Sequence, residues 1–380
     1  MKTINLQHTK QHLLGKQKLP ASKSISNRLQ IINALSGNLI DIENLSNARD
    51  TQTMKDILAE NSSIVDVKDA GTAMRFLTAF YAIGDKEIII KGTERMHQRP
   101  IGILVDALNA LGANIEYLEK EGFPPLKINP FKPIIACQEL EIDSTISSQY
   151  ISALMMVGPY LPTGLWLKLK GEIASKPYIK MTLALMQSCG AEVELKGNKI
   201  QIKPSTYNSK KHFVESDWSA ASYWYSFLAM ADDGEITLDY LTEKSIQGDS
   251  VIASIFDSLG VKTTFIDNGV SLKRVHVELP KKLKIDFSDC PDLAQTLAVF
   301  CAVKGIELTM TGVESLKIKE TNRLQALQNE LAKLSVDLIQ NGITYNFIRS
   351  GCRTWIGRHR SRYCSTISFR INRPYPITLI

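Results

Sequence analysis

One pattern constrains this chain more than any other: an amphipathic helix followed by an alternating strand, repeated at near-constant spacing. Arg99 opens RPIGILVDALNALGANIEYLE, Lys176 opens KPYIKMTLALMQSCGAEVEL, Gly248 opens GDSVIASIFDSLGVKTTF and Asn322 opens NRLQALQNELAKLSVDLI. Successive starts lie 72 to 77 residues apart, and a weaker copy begins at Asp50. Apolar residues recur first at three- and four-residue spacing, the signature of a helix with one buried face, and then alternate as in a half-buried strand. In three copies a glycine (Gly112, Gly190, Gly260) ends the helix, where the backbone turns left-handed and a Cβ would hinder it. Apolar strand-like runs such as Glu87–Lys91 and Leu165–Lys170 lie between the copies. One helix–glycine–strand passage is common in any α/β protein. Four at regular spacing predict an α/β architecture assembled from copies of one supersecondary unit.

A chain of 380 residues is too long for one small core and predicts two domains. The polar stretch Pro204–His212 (PSTYNSKKH) marks a boundary between two repeat-bearing halves. No apolar run is long enough for a membrane span. Met1–Pro20 is polar and has no apolar signal core, so a cytoplasmic protein is expected. Six cysteines (Cys137, Cys189, Cys290, Cys301, Cys352, Cys364) include no Cys-x-x-Cys pair, which favours reduced thiols over disulfides or a zinc site.

The net charge of +6 invites a nucleic-acid reading, but its distribution argues against one. After Asp337 there is no Asp, Glu or Lys, while Phe347–Ile380 holds seven arginines: Arg349, Arg353, Arg358, Arg360, Arg362, Arg370 and Arg373. Without them the chain has 38 basic against 39 acidic residues, so the body carries a formal −1. The basic balance belongs to the tail, and no nucleic-acid or membrane partner is expected.

Several polar helix starts could hold a phosphorylated ligand. In Lys18-Leu-Pro-Ala-Ser-Lys-Ser-Ile-Ser-Asn-Arg28, Ser22 is a good N-cap for a helix with Ile25, Leu29 and Ile32 on its buried side. Lys23, Ser24 and Arg28 then occupy its first turns, where free N–H groups, the positive dipole end and two cations make an anion site. An ordinary capped helix with solvated basic residues fits the pattern as well. Related starts are Asp69-Ala-Gly-Thr-Ala-Met-Arg75, Asp143-Ser-Thr-Ile-Ser-Ser-Gln149, Ser175-Lys-Pro-Tyr178, Ser216-Asp217, Asp289-Cys-Pro-Asp292 and Lys317-Ile-Lys-Glu-Thr-Asn-Arg323. At corresponding places in repeated units, such starts can converge on one cleft.

In that order and spacing, SKSISNR, AGTAMR, RPIG, SSQ, SKPY, CPD and KIKETNR resemble the 3-phosphoshikimate 1-carboxyvinyltransferase (5-enolpyruvylshikimate-3-phosphate synthase) family, from about Leu19 to about Ile343. The resemblance implies two lobes, each built from three βαβαββ units, that close on the substrates. It places the first lobe at 20–213 and the second at 1–19 with 214–346, the last unit being incomplete. It implies transfer of the enolpyruvyl group of phosphoenolpyruvate to the 5-hydroxyl of shikimate 3-phosphate by a monomer without cofactor or metal. By position, Lys23, Ser24, Arg28, Ser147, Ser148, Gln149, Ser175, Tyr178, Asp292 and Lys319 meet shikimate 3-phosphate, with Tyr178 packing on its ring. Lys23, Gly71, Arg99, Gln149 and Arg323 fall on the phosphoenolpyruvate side. Asp292 is the candidate base, Glu320 the candidate acid, and Lys23 an electrostatic stabiliser. From pattern alone Asp292 reads as an N-cap, and Glu320 as an i, i+3 partner of Arg323.

The chain departs from the family's usual pattern at Ser315, Asn322, Asp69 and Phe76. The sister enzymes acting on UDP-N-acetylglucosamine would carry Lys-Asn in place of Lys23-Ser24, and a cysteine in the loop before Arg99 that this chain lacks. A substrate-binding remnant with little activity is the other alternative, because the resemblance stops near Asn346 and the usual Asp-His-Arg-Met-Ala segment is not found. A frameshift or sequencing error explains the aberrant tail 347–380 as a whole. Resequencing beyond the codon for Asn346 is expected to reveal a second reading frame; an uninterrupted frame to Ile380 with full turnover excludes it.

Overall fold

The computed structural model describes residues 12–60, 62–134, 139–144, 147–171, 173, 175–318 and 321–349. The repeat read from the sequence is a repeat of sheets. Among the described residues, four sheets have four strands each, and all four share one order: first, second, fourth, third. In every case the first two strands are parallel and the rest antiparallel. One unit runs strand Glu139–Asp143, helix Ser148–Val157, strand Leu165–Lys170, helix Lys176–Ser188, then strands Val193–Lys196 and Lys199–Ile202. This is βαβαββ. The unit Lys282–Asp286, Ala294–Lys304, Glu307–Thr311, Arg323–Ala332, Val336–Asn341, Thr344–Arg349 repeats it.

Local sequence explains the repetition. In Leu165–Lys170, Leu165, Leu167 and Leu169 are 1% exposed while the residues between them face outward. The outer helices end as expected: Gly112, Gly190 and Gly260 have φ of +102°, +93° and +92°. After the Gly102–Ala110 and Lys176–Ser188 helices, the N–H groups of Ala113 and Ala191 reach back to the carbonyls of Leu108 and Met186, both at 3.0 Å. The fourth copy lacks the glycine, and Ser335 takes the left-handed conformation instead, at φ +56°. Helix Gly71–Ala82 is apolar on nearly every side and lies buried against helices Lys23–Leu35 and Ser148–Val157.

Two separate hydrophobic cores result. One runs from Ala21 to Val214; the other joins Leu19 to residues Trp218 through Tyr345 and centres on Tyr225, Phe256 and Phe300, whose rings pack at 5.1–5.8 Å. The chain crosses between them twice, side by side. Ala21 bridges Ser216, Ser22 N–H donates to Glu215 O at 2.9 Å, and Asp217 N–H donates to Pro20 O at 2.9 Å.

The polar stretch Pro204–His212 is not a linker. Its Tyr207 is 2% exposed and donates to Met156 O at 2.8 Å, and strand Lys210–Phe213 pairs in parallel with Ile40–Glu43. The crossing falls just after it. Strand Thr344–Arg349 continues three residues past the start of the compositionally aberrant tail, and residues 350–380 lie outside the described residues.

An added Cβ at Gly112 would overlap the Lys132 carbonyl, whereas at Gly197, φ +62°, it meets nothing within 4 Å. Both alanine variants bear the left-handed strain of about 1 kcal/mol, and only Gly112→Ala adds a collision with backbone. Urea unfolding is expected to show a loss of about 1 kcal/mol for Gly197→Ala and more than about 2 kcal/mol for Gly112→Ala.

Candidate active site

The structure gathers the sequence-derived residues into two groups that share the Gly71–Ala82 helix. The first lies at that helix's start. Gln149 Nε2 donates to Thr72 Oγ1 at 3.3 Å, and Ser147 Oγ, at the N-cap, accepts from Gln149 N–H at 3.3 Å. Arg99 lies over Gly71 so closely that a Cβ there would come 2.7 Å from Arg99 Cζ. Arg99 is 8% exposed, and its buried Nε and Nη1 have no hydrogen-bond partner among the described residues. Glycine at 71 is thus what lets the guanidinium rest on the helix's first turn. Nearby, Arg75 donates to Pro100 O at 2.8 Å and to Gly71 O at 3.3 Å, and Tyr150 OH donates to Pro100 O at 2.6 Å. These bonds hold the Arg99 loop in place.

The second group runs across both cores. Lys23 Nζ donates to Asp50 Oδ2 at 3.3 Å. Arg28 is 3% exposed and bonded on every nitrogen: Nε to Thr182 Oγ1 at 2.7 Å, Nη1 to Ser24 O at 3.0 Å, and Nη2 to Ser152 Oγ at 3.2 Å and Tyr178 O at 3.4 Å. Burial lowers its pKa to about 10, so it stays charged at neutral pH. Its guanidinium carbon lies 5.3 Å from the Phe76 ring centre and 5.7 Å from that of Tyr178. Tyr178 OH donates to Asp292 Oδ2 at 2.9 Å, and Arg323 Nη1 donates to Asp292 Oδ1 at 2.6 Å. Burial, with Asp292 and Asp249 nearby, pushes the Tyr178 hydroxyl well above its ordinary pKa.

Several local readings change. Ser22 stands at the N-cap position, but its Oγ is buried and finds no partner among the described residues; the helix start is held by backbone instead. Ser175 precedes its helix in a left-handed conformation, φ +53°, and makes no side-chain cap. Asp292 is not an N-cap. It sits in the short turn Pro291–Leu293 and binds side chains from both cores. Ser148 is 7% exposed at the start of its helix. Lys319 and Glu320 lie outside the described residues.

Three departures from the family pattern have visible work in this chain. Asn322 caps its helix by accepting from Gln325 N–H at 3.1 Å. Phe76 lies under Arg28, and Asp69 is 3.5 Å from Arg49.

Sequence reasoning missed Asp50, Ser152, Thr182 and the part played by Asp217. The Asp217 carboxylate accepts from Ala220 N–H at 3.0 Å and from the backbone of Lys23, so it serves the starts of two helices belonging to different cores. Burial raises its pKa, and Lys23 and the N–H groups partly offset that. Thr182 carried a usable signal, a polar side chain on an otherwise apolar helix face with Ile179, Leu185 and Met186.

Because Thr182 and Ser152 pair a buried charge, their loss is expected to be expensive. Thr182→Val should lower unfolding free energy by about 2–3 kcal/mol, against less than about 0.5 kcal/mol for the exposed Thr206→Val.

The model of the EPSP synthase (3-phosphoshikimate 1-carboxyvinyltransferase) family matches residues 55–352. A 3-phosphoshikimate 1-carboxyvinyltransferase of Bacteroides fragilis is 49% identical over 317 residues, 83% of this chain and 77% of that protein. One from Haemophilus influenzae is 34% identical over 361 residues, 85% of this chain and 81% of its own. Among solved structures, EPSP synthase from Acinetobacter baumannii superposes with a TM-score of 0.68 at 18% identity, covering 92% of this chain and 84% of that one, a likeness of fold. With the family match spanning most of the chain, this protein belongs to the EPSP synthase family.

Proposed function

We propose that this protein transfers the enolpyruvyl group of phosphoenolpyruvate to the 5-hydroxyl of shikimate 3-phosphate and releases inorganic phosphate. The sister reaction on UDP-N-acetylglucosamine is set aside, since the family matched is that of EPSP synthase. The observation that carries the site assignment is Arg99: a buried guanidinium whose Nε and Nη1 bond to no described protein group. A buried charge without a partner is costly, and a carboxylate or phosphate satisfies it in bidentate fashion. Gly71, Gln149 and Arg323 join it on the phosphoenolpyruvate side in this reading. Lys23, Ser24, Arg28, Ser147, Ser148, Gln149, Ser175, Tyr178, Asp292 and Lys319 take shikimate 3-phosphate. As placed, Arg28 acts first by holding Ser24 and Tyr178, because its own nitrogens are occupied.

The reaction is addition then elimination. Asp292 takes the proton of the 5-hydroxyl as that oxygen bonds to C2 of phosphoenolpyruvate, and Glu320 gives a proton to C3. The Glu320 carboxylate then takes a proton back from C3 as the C2–O bond to phosphate breaks, which expels phosphate and restores the double bond. Lys23 and the arginines stabilise charge on the phosphate and carboxylate. The two cores are the basis for assigning residues 20–213 to one lobe and 1–19 with 214–346 to the other. No helix among the described residues is long and apolar enough to cross a membrane. We place a monomeric enzyme in the cytoplasm, where free thiols such as Cys189, Cys290 and Cys301 stay reduced.

Turnover with both substrates, alongside calorimetric titration of shikimate 3-phosphate, tests the assignment. Asp292→Asn and Glu320→Gln are each expected to cut turnover about 10²–10⁴-fold while binding stays within about 3-fold. Near-normal turnover in both removes them from the chemistry.

A further inference from the structure

We infer that the Tyr178 hydroxyl, beyond any packing of its ring, is a positioning group for Asp292 that aims the carboxylate only when the two lobes are together. The inference rests on the reading of Asp292 as the base. The two residues come from different cores. Tyr178 lies in the first turn of helix Lys176–Ser188, and Asp292 in the turn ahead of helix Ala294–Lys304. Their hydrogen bond, 2.9 Å from Tyr178 OH to Asp292 Oδ2, therefore crosses the cleft.

Each end is fixed independently. On the first lobe, Tyr178 O accepts from both Arg28 Nη2 and Thr182 Oγ1, and the Arg28 guanidinium carbon lies 5.7 Å from the ring centre, so the residue is anchored to a buried network. On the second lobe, Asp292 Oδ1 accepts from Arg323 Nη1 at 2.6 Å. One donor on each oxygen sets both the plane and the rotamer of the carboxylate. Neither donor alone does, because a single bond leaves rotation about it. Among the described helices, Asp292 is the N-cap of none. Among the described residues, the charged and titratable groups facing the pair are Arg28, Arg323, Asp249, Asp217 and the Cys290 thiol. Burial first, and then the acidic members, keep the phenol protonated, so it remains a donor through the working pH range. Opening the lobes breaks this bond, so the base would be aligned only in the closed enzyme.

If Tyr178 served the ring alone, phenylalanine would serve as well. The test is Tyr178→Phe in the full chain. The expected result is a kcat lowered about 10–100-fold, with the shikimate 3-phosphate dissociation constant within about 3-fold. Removing a donor to the ionised carboxylate should also move the acidic limb of the rate profile upward. In an Asp292→Asn background the same change should have no further effect on kcat. A readout free of turnover is the side-chain carboxyl ¹³C shift of Asp292 in aspartate-labelled protein, which should titrate at higher pH in Tyr178→Phe than in the parent. A parent-like titration and parent-like kcat in Tyr178→Phe, beside a crippled Asp292→Asn, overturn this inference and leave the base assignment standing. Near-normal turnover in Asp292→Asn overturns the base assignment and this inference with it.

Discussion

Arg28 is the residue around which the first lobe's half of the cleft is arranged. A guanidinium with 3% exposure is tolerated only if its N–H groups find acceptors, and those acceptors lie on three different helices. Thr182 belongs to helix Lys176–Ser188, Ser152 to Ser148–Val157, and Ser24 to Arg28's own helix. Satisfying one charge therefore brings together the starts of helices that carry Lys23, Ser148 and Tyr178. An error in any of these packings leaves a buried donor unpaired, so the penalty for misplacing the site falls on the stability of the lobe.

The cleft has an electrostatic sidedness that follows from this. Lys23, Arg28 and Arg99 come from the first lobe. The acids Asp217, Asp249 and Asp292, with Arg323, come from the second. A cationic wall attracts anions, and most of the carboxylates named here lie on the facing side. Lys23 pairs with Asp50 and Arg323 with Asp292, both at partly exposed positions.

Features governed by neighbours along the chain were legible in the sequence; features governed by distant neighbours were not. The glycines at 112, 190 and 260 sit where a left-handed turn is required, so spacing and residue type sufficed to place helix ends and strands. The helix start at Lys23 was also readable, but the silence of the Ser22 hydroxyl was not, because the Glu215 carbonyl that holds this start comes from the other end of the lobe. Pro204–His212 reads as a boundary because its composition is polar. Its one buried aromatic, Tyr207, ties it to Met156, a tertiary contact without a local signature. Asp292 had the look of a cap for the same reason. Its partners lie 114 and 31 residues away.

The paired crossings at Pro20–Ser22 and Glu215–Asp217 have a topological consequence. The whole first lobe enters and leaves through one doorway, so it is an insertion within the second. Strand His12–Gln17 pairs with Asp233–Asp239, more than two hundred residues later. On the ribosome that strand emerges long before its partner exists, while every strand pairing of the inserted lobe can be completed in the interval. The inserted lobe can therefore be a finished body when the host lobe closes around its two ends. The order of synthesis then builds the cationic wall before the acidic one.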